Sequence, residues 1–361
     1  MSARKKQQLR ALWFKIHKWL GLALALPVIL IFLSGSLLVW KASVDDLLHP
    51  QRKVGAAAVR PLSFYVTAAE RALAPDERLA DLTYPATPGA VVVVAAGPGG
   101  SGMAGRIRYF LDPATGRVLD RASENAGPLR LVHILHGSLL LGRPGGRLVG
   151  AIAFALLLSA LSGLWLWWPV KGSIFRAMRW GRTQSTNANL HHQAGYWFAV
   201  PLVVLSLTGA TISFSGLFNT MVGDQAAVRG EAMRATAAPL ALPHLQPSAA
   251  LAAAGSPRNL LSIKWPTTLE PRWIVSFRTP GGTTLAAIDD GDGKASRQSL
   301  PPESTANLMR RVHDGTGTPR LWQIVIFISG LLGATMAVTG VIMWLKGQIR
   351  EVRMRDRRAA R

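Results

Sequence analysis

The sequence predicts a mainly α-helical membrane protein with four transmembrane helices in two tandem repeats and a small α+β domain in each of two long loops. Three observations predict this. Of the 361 residues, 49% are hydrophobic and the mean hydropathy is +0.22, high for a soluble chain. The apolar residues concentrate in four runs, 19–40, 147–168, 196–219 and 321–345, which carry no Asp, Glu, Lys or Arg apart from Arg147 at one border. The chain also repeats itself: HKWLGLALALPVILIFLSG at 17–35 returns as HHQAGYWFAVPLVVLSLTG at 191–209.

The repeat has two registers. At an offset of 174, His17, Gly21, Pro27 and Ser34-Gly35 match His191, Gly195, Pro201 and Thr208-Gly209. At an offset of 177, Asp112, Gly116, His136 and Ser162-Gly163 match Asp289, Gly293, His313 and Thr339-Gly340. A histidine thus stands before each of the four apolar runs.

The elements follow in order. Residues 1–18 hold six Lys/Arg and no acid. The run 19–40 is too long for the apolar part of a secretory signal, and no small-residue cleavage pattern follows Trp40, so a retained helix is expected. About 20 residues at ~1.5 Å each cross a hydrocarbon core of ~30 Å, and Trp19, Trp40, Trp168 and Trp344 mark the interfaces. The loop 41–146 contains a helical piece at 63–74, strands at Val91–Val94 and Arg106–Leu111, and a turn at Asp112–Gly116. A short helix over Leu129–Leu141 then leads to the second run, 147–168. The loop 169–195 has Lys171, Arg176, Arg179 and Arg182 and no acid. After the third run, 196–219, the loop 220–320 repeats the plan, with a helical piece at 247–254, a strand at Trp273–Arg278, a turn at Asp289–Gly293 and a helix at Ser304–His313. The fourth run, 321–345, precedes a tail, 346–361, with seven Lys/Arg against Glu351 and Asp356.

Charge sets the expected orientation. The short basic ends belong in the cytoplasm, so both termini are expected inside and both long loops outside. The formal net charge is +22. Since 17 basic residues against two acidic ones lie beside the helix ends, topology and anionic lipid explain the excess better than nucleic acid does. No cysteine is present, which excludes Cys-ligated clusters, thiol catalysis and covalent haem attachment. No phosphate loop, dinucleotide fingerprint, G-x-S-x-G or H-E-x-x-H occurs.

The H-x-x-x-G…P…[ST]-G helices, the D-P-x-T-G-x-V turn at 112–118, the stretch HGSLLLGRPG at 136–145 and SGLWLWWP at 162–169 resemble the PepSY-associated transmembrane family. The resemblance implies an inner-membrane protein of bacteria whose two external loops are PepSY-like periplasmic domains. It also implies similarity to iron-regulated ferric-siderophore reductases that carry b-type haem. The second loop departs from the pattern, with Asp-Asp-Gly-Asp-Gly-Lys where the first has Asp-Pro-Ala-Thr-Gly-Arg, which puts a shared role of the two turns in question.

Eight histidines occur. Pseudo-twofold symmetry pairs His17 with His191 at the cytoplasmic side and His136 with His313 at the external side. Opposed neutral imidazoles hold haem iron, so two haems are expected on these four ligands. A zinc site would want three or four ligands together. His192 remains an alternative to His191, and His133, matched by Arg310, an alternative to His136. Arg130, Arg310 and Arg311 are candidates to pair with haem propionates, or they snorkel. The helix glycines leave room either for a macrocycle or for helix contact. Trp165, Trp167 and Met343 are candidates between the two sites, with core packing as their other role. The expected function is electron transfer from a cytoplasmic or quinol donor to a ferric siderophore or other ferric chelate lodged between the external domains, near Trp265, Trp273, Tyr109 and Phe110 unless these serve the sheet core. The alternatives are a non-enzymatic module that binds or inhibits a periplasmic partner, and a haem subunit feeding a separate reductase.

Overall fold

The computed structural model describes residues 3–55, 58, 60–85, 89–96, 105–123, 125–168, 178–181, 183–223, 238–257, 259–280, 282–299 and 303–360. Lys171, Arg176, Arg182 and Pro169 lie outside the described residues. Along the chain the helices are α1 (Ala3–Val39), α2 (Lys41–Leu48), α3 (Leu62–Ala72), α4 (Pro128–Ser138), α5 (Gly142–Trp167), α6 (Thr186–Ser213), α7 (Ser215–Met221), α8 (Pro247–Ala253), α9 (Thr305–Asp314) and α10 (Arg320–Ala359). The strands are β1 (Arg78–Thr83), β2 (Val91–Ala96), β3 (Arg106–Leu111), β4 (Val118–Ser123), β5 (Leu260–Lys264), β6 (Arg272–Thr279), β7 (Gly282–Asp289) and β8 (Ala295–Ser299). The chain divides into two compact units, one of long helices and one built on a sheet.

In the helical unit, α1, α5, α6 and α10 are each long and apolar enough to cross a membrane. α1 packs on α10 and α5, and α6 packs on the same two, so the matched helices α1 and α6 occupy diagonal positions. Small residues set the closest approach of α1 and α10. A Cβ on Gly330 would strike Ser36 and the Phe32 carbonyl, and one on Gly333 would strike the Phe32 ring. Ser36 Oγ donates to the Phe327 carbonyl at 3.1 Å across this contact. Apolar clusters around Val28, Ile31 and Ile152, and around Ala160, Phe198 and Leu202, fill the interior. α1 and α6 run on through Pro27 and Pro201.

The basic segments at either end of the chain continue their helices. α10 has 40 residues and is therefore ~60 Å long, about twice the hydrocarbon thickness. Within α1, Arg10 reaches the C-terminus of α5 and donates to the carbonyls of Leu166 at 2.7 Å and of Trp165 and Trp168 at 3.4 Å. It thereby satisfies carbonyls that a helix end leaves without partners.

The sheet unit corrects the expectation of two separate small domains. The strands of both long loops join in one antiparallel sheet in the order β4-β3-β2-β1-β5-β6-β7-β8. Each loop contributes a four-stranded meander, and the first strands meet at the seam, where Asp81, Leu82 and Thr83 oppose Lys264, Ile263 and Ser262. Alternation explains the facing: in β6, Trp273, Val275 and Phe277 are buried while their neighbours are not, as a period of two requires. One apolar core takes in α3 (Tyr65, Ala69), α8 (Ala250) and both halves of the sheet (Leu82, Val93, Ile263, Ile288). Pairing β1 with β5 removes one exposed edge from each meander and lets each small core complete the other.

The two turns that differ in sequence adopt one geometry. Asp112 Oδ1 accepts from the N–H groups of Ala114 and Thr115, and Asp289 Oδ1 from those of Gly291 and Asp292. Gly116 and Gly293 close the turns at φ of 70° and 69°, the left-handed region that glycine enters without steric cost.

One buried ionic network stands out in the first meander. The Glu77 side chain is only 2% exposed. It accepts from Tyr109 Oη, from Arg121 at 2.5 Å and from the Ala74 N–H at 3.1 Å. Burial would raise this carboxyl's pKa, but the Tyr109, Ala74 and Arg121 donors outweigh it and hold the group below the usual 4.5. A depressed folded value means that the stabilisation is complete above about pH 4.5 and is lost as pH falls through the lower, folded value. Thermal unfolding of the purified protein should therefore show a midpoint that drops on acidification below this range, and Glu77→Gln should flatten that part of the profile.

Candidate functional site

The structure brings His17 on α1 to His191 on α6, with ring centres 6.3 Å apart and planes at 82°. It brings His136 on α4 to His313 on α9, with ring centres 6.1 Å apart and planes at 46°. Each ring is seated against a neighbouring helix. His17 Nδ1 lies 3.1 Å from both the Ser159 carbonyl and Ser162 Oγ. His191 Nδ1 lies 3.1 Å from the Met336 carbonyl and 3.2 Å from Thr339 Oγ1. His136 Nδ1 lies 2.9 Å from the Ile31 carbonyl and 3.4 Å from Ser34 Oγ. His313 Nδ1 lies 3.0 Å from Thr208 Oγ1.

These partners are the [ST]-G pairs of the internal repeat, and they define two layers. On α1, His17 belongs to one layer and Ser34, 17 residues on, to the other; on α6 the corresponding residues, His191 and Thr208, are again 17 apart. At ~1.5 Å per residue the layers stand ~25 Å apart along these helices. α9 is held in place beneath its histidine by α10: Trp322 Nε1 donates to the Val312 carbonyl at 2.8 Å, and Gln323 Nε2 to the Gly315 carbonyl at 3.0 Å.

The glycines separate into distinct roles. A Cβ on Gly35, Gly163, Gly209 or Gly340 would lie 2.7, 3.0, 3.1 or 3.5 Å from Cε1 of His136, His17, His313 or His191 respectively. These four make room for imidazoles, whereas Gly330 and Gly333 make room for helix contact. Gly21, one turn after His17, faces open space, and Gly195, one turn after His191, meets only the end of Met336.

The ring-centre spacing within each pair is that of two imidazoles sharing one ion. A metal–imidazole bond is ~2.0 Å, so two rings binding one ion from opposite sides stand about 6 Å apart centre to centre, as both pairs do. Among the described residues, Nε2 of these four rings makes no hydrogen bond, and no group of three or more His, Cys, Asp or Glu gathers as a metal site. Each pair thus offers two nitrogen ligands, which suits the axial positions of a haem rather than a closed zinc site.

The remaining sequence candidates fall in different places. A cavity of about 230 Å³ opens beside the His136–His313 pair and is lined by both rings, His133, Arg310 and apolar residues including Ile152 and Leu202. Arg311, next along α9, comes close to Gly317, where an added Cβ would lie 3.8 Å from Arg311 Cδ. Arg130 and Arg311 do not line this cavity among the described residues. His192 follows His191 on α6, and the seat on α10 receives His191. His49 pairs with Asp45. His244 contributes its backbone N–H to the buried Asp290, which also accepts from Leu245 N–H and Trp273 Nε1. Trp273, Trp265 and Tyr109 are buried in the sheet core, and Phe110 lies under the Arg52 guanidinium at 4.0 Å. Trp167 stacks on Tyr196 at 4.3 Å. Sequence reasoning missed the edge-on pair Phe32–Phe198 at 5.6 Å. Phe198 lies between His191 and Thr208 on α6, and the repeat gave no signal for it because its counterpart is Leu24.

Four membrane-length helices enclosing paired histidines, joined in one chain to an eight-stranded antiparallel sheet, define a multi-pass membrane protein. Residues 14–347 match the family model described as the PepSY-associated TM region, and the chain belongs to this family. No curated protein matches it.

Proposed function

We propose that this is a bacterial inner-membrane electron-transfer protein that binds two b-type haems and reduces a ferric siderophore or similar ferric chelate on the periplasmic side. The observation that carries the reading is the pair of imidazole layers, each spaced for one metal ion and set ~25 Å apart along the helices. Bound there, haem would supply reversible one-electron chemistry near each face of the membrane. His17 and His191 hold the cytoplasmic group, and His136 and His313 the periplasmic one. The apolar clusters around Phe198 and Ile152 keep water from the interior between them. Basic helix ends support the orientation. The chain has no dinucleotide fingerprint, so its reductant is a cytoplasmic donor or a quinol.

The substrate is iron held by hard oxygen donors; reduction to ferrous iron weakens that hold and releases the metal. A groove of about 610 Å³ on the sheet unit supports a place for the chelate. It draws Arg60, Tyr84 and Pro85 from the first loop and Asn259, Leu261 and Arg278 from the second. It therefore lies where the two halves meet, though with other residues than the aromatic ones expected from the sequence. Two arginines suit an anionic chelate.

The visible spectrum of the purified protein tests the reading. A Soret band with sharp α and β bands on reduction is expected, and a colourless but folded protein would end it. With haem present, the dithionite-reduced protein should reduce ferric citrate. Arg278→Glu should raise the citrate concentration needed about tenfold or more with haem content unchanged; an unchanged requirement would remove the groove from the proposal.

A further inference from the structure

We propose that Ser34, Ser162, Thr208 and Thr339 are positioning residues that, joined by a backbone carbonyl at three of the four sites, hold the hydrogen of each paired histidine on Nδ1 and leave the Nε2 lone pair to bind metal. This rests on the reading that the four paired histidines are axial ligands. It assigns a role to the [ST]-G half of the internal repeat, whose sequence alone indicated only small residues on helix faces.

A neutral imidazole has one N–H and one lone pair, and its surroundings decide which nitrogen carries the hydrogen. In three of the four, Nδ1 faces a carbonyl three residues before the hydroxyl residue: Ser159 for His17, Met336 for His191 and Ile31 for His136; His313 Nδ1 faces Thr208 Oγ1 at 3.0 Å. A carbonyl oxygen only accepts, so a nitrogen about 3 Å from it must donate. Each hydroxyl has a carbonyl of its own helix within reach to take its single hydrogen. Ser34 donates to Leu30 at 2.6 Å, Ser162 to Ser159 at 3.0 Å, Thr208 to Val204 at 2.8 Å and Thr339 to Thr335 at 2.8 Å. Their lone pairs remain for Nδ1–H.

The glycine completes the device. In a helix the carbonyl three residues before the hydroxyl residue bonds to the N–H of the glycine that follows it. Because that glycine has no Cβ, the imidazole edge can reach the carbonyl from the side. Hydroxyl and glycine thus meet all four rings, and the carbonyl joins them at three. Partners of this kind fix the tautomer and orientation of a ligand histidine and raise its basicity, and losing them typically costs 10- to 100-fold in metal affinity.

The sockets of the His136–His313 layer are unequal, which makes the inference testable within one site. Thr208 Oγ1 stands 3.0 Å from His313, but Ser34 Oγ stands 3.4 Å from His136, whose main acceptor is the Ile31 carbonyl at 2.9 Å. In the purified full-length protein, Thr208→Val should shift the midpoint potential of one haem upward and weaken its retention 10- to 100-fold, leaving the other haem unmoved. Thr208→Ser should restore both properties, and Ser34→Ala, which removes the longer contact, should shift the same potential in the same direction by less. If Thr208→Val retains both haems with unmoved potentials and unmoved ferric low-spin EPR signals, the socket assignment is wrong although the haem reading stands. If Thr208→Ser fails as Thr208→Val does, the hydroxyl serves helix packing and the assignment is likewise wrong. A wild-type protein that binds no haem would sink both readings together.

Discussion

On the two-haem proposal, Gly35→Ala is expected to cost the protein one haem, while Gly340→Ala, the same change in an equivalent socket, is expected to leave both. The added carbon at Gly35 would sit 2.7 Å from His136 Cε1 and 3.1 Å from Nδ1, closer than carbon atoms pack. The ring cannot yield sideways without giving up the Ile31 carbonyl at 2.9 Å. Nor can it retreat toward His313 without closing the 6.1 Å spacing that an ion between the rings requires. At Gly340 the same carbon would lie 3.5 Å from His191 Cε1, an ordinary van der Waals contact. Gly163 and Gly209, at 3.0 and 3.1 Å, should give intermediate losses. Haem per polypeptide in the purified variants measures this directly. Full haem content in Gly35→Ala would show that the ring is not seated as described.

Replacing a single ligand should separate the two layers. His136→Ala or His313→Ala should remove about half the haem and leave the reduced spectrum of the other site intact; His17→Ala or His191→Ala should do the converse. The independence follows from geometry: the layers are ~25 Å apart, and each draws its ring seats from different turns of the helices. His133→Ala and His192→Ala are expected to keep both haems. His133 lines the cavity beside the pair without belonging to it, and the α10 seat holds His191. Loss of haem in His133→Ala with retention in His136→Ala would move the ligand to the neighbouring residue.

Much of this site was legible in the sequence because a duplication filters residues. Of eight histidines, only four recur at the two offsets, and these are the four that the structure pairs. The seats were visible too, as Ser34-Gly35 and its three counterparts, but their purpose was not. A hydroxyl–glycine pair on an apolar helix reads equally well as close packing between helices, and Gly330 and Gly333 do serve that end. Distinguishing the two uses depends on what approaches the glycine from another helix, which periodicity does not carry. The aromatic pair Phe32–Phe198 escaped notice for the opposite reason: it breaks the repeat.

The sequence by itself determined the four spans, the short helices before the second and fourth of them, three of the eight strands, the two Asp–Gly turns and the four histidines. These follow from hydropathy over about 20 residues, from period-two alternation and from local turn chemistry, all of which act between near neighbours in the chain. Only the tertiary structure decided that the two long loops share one sheet. The β1–β5 seam consists of backbone hydrogen bonds between strands about 180 residues apart, and backbone groups are alike at every position. The tertiary structure likewise decided that each paired histidine has its Nδ1 occupied by a neighbouring helix. Which ring nitrogen remains for a ligand is set by atoms within about 3 Å in space, contributed by residues more than 100 positions away.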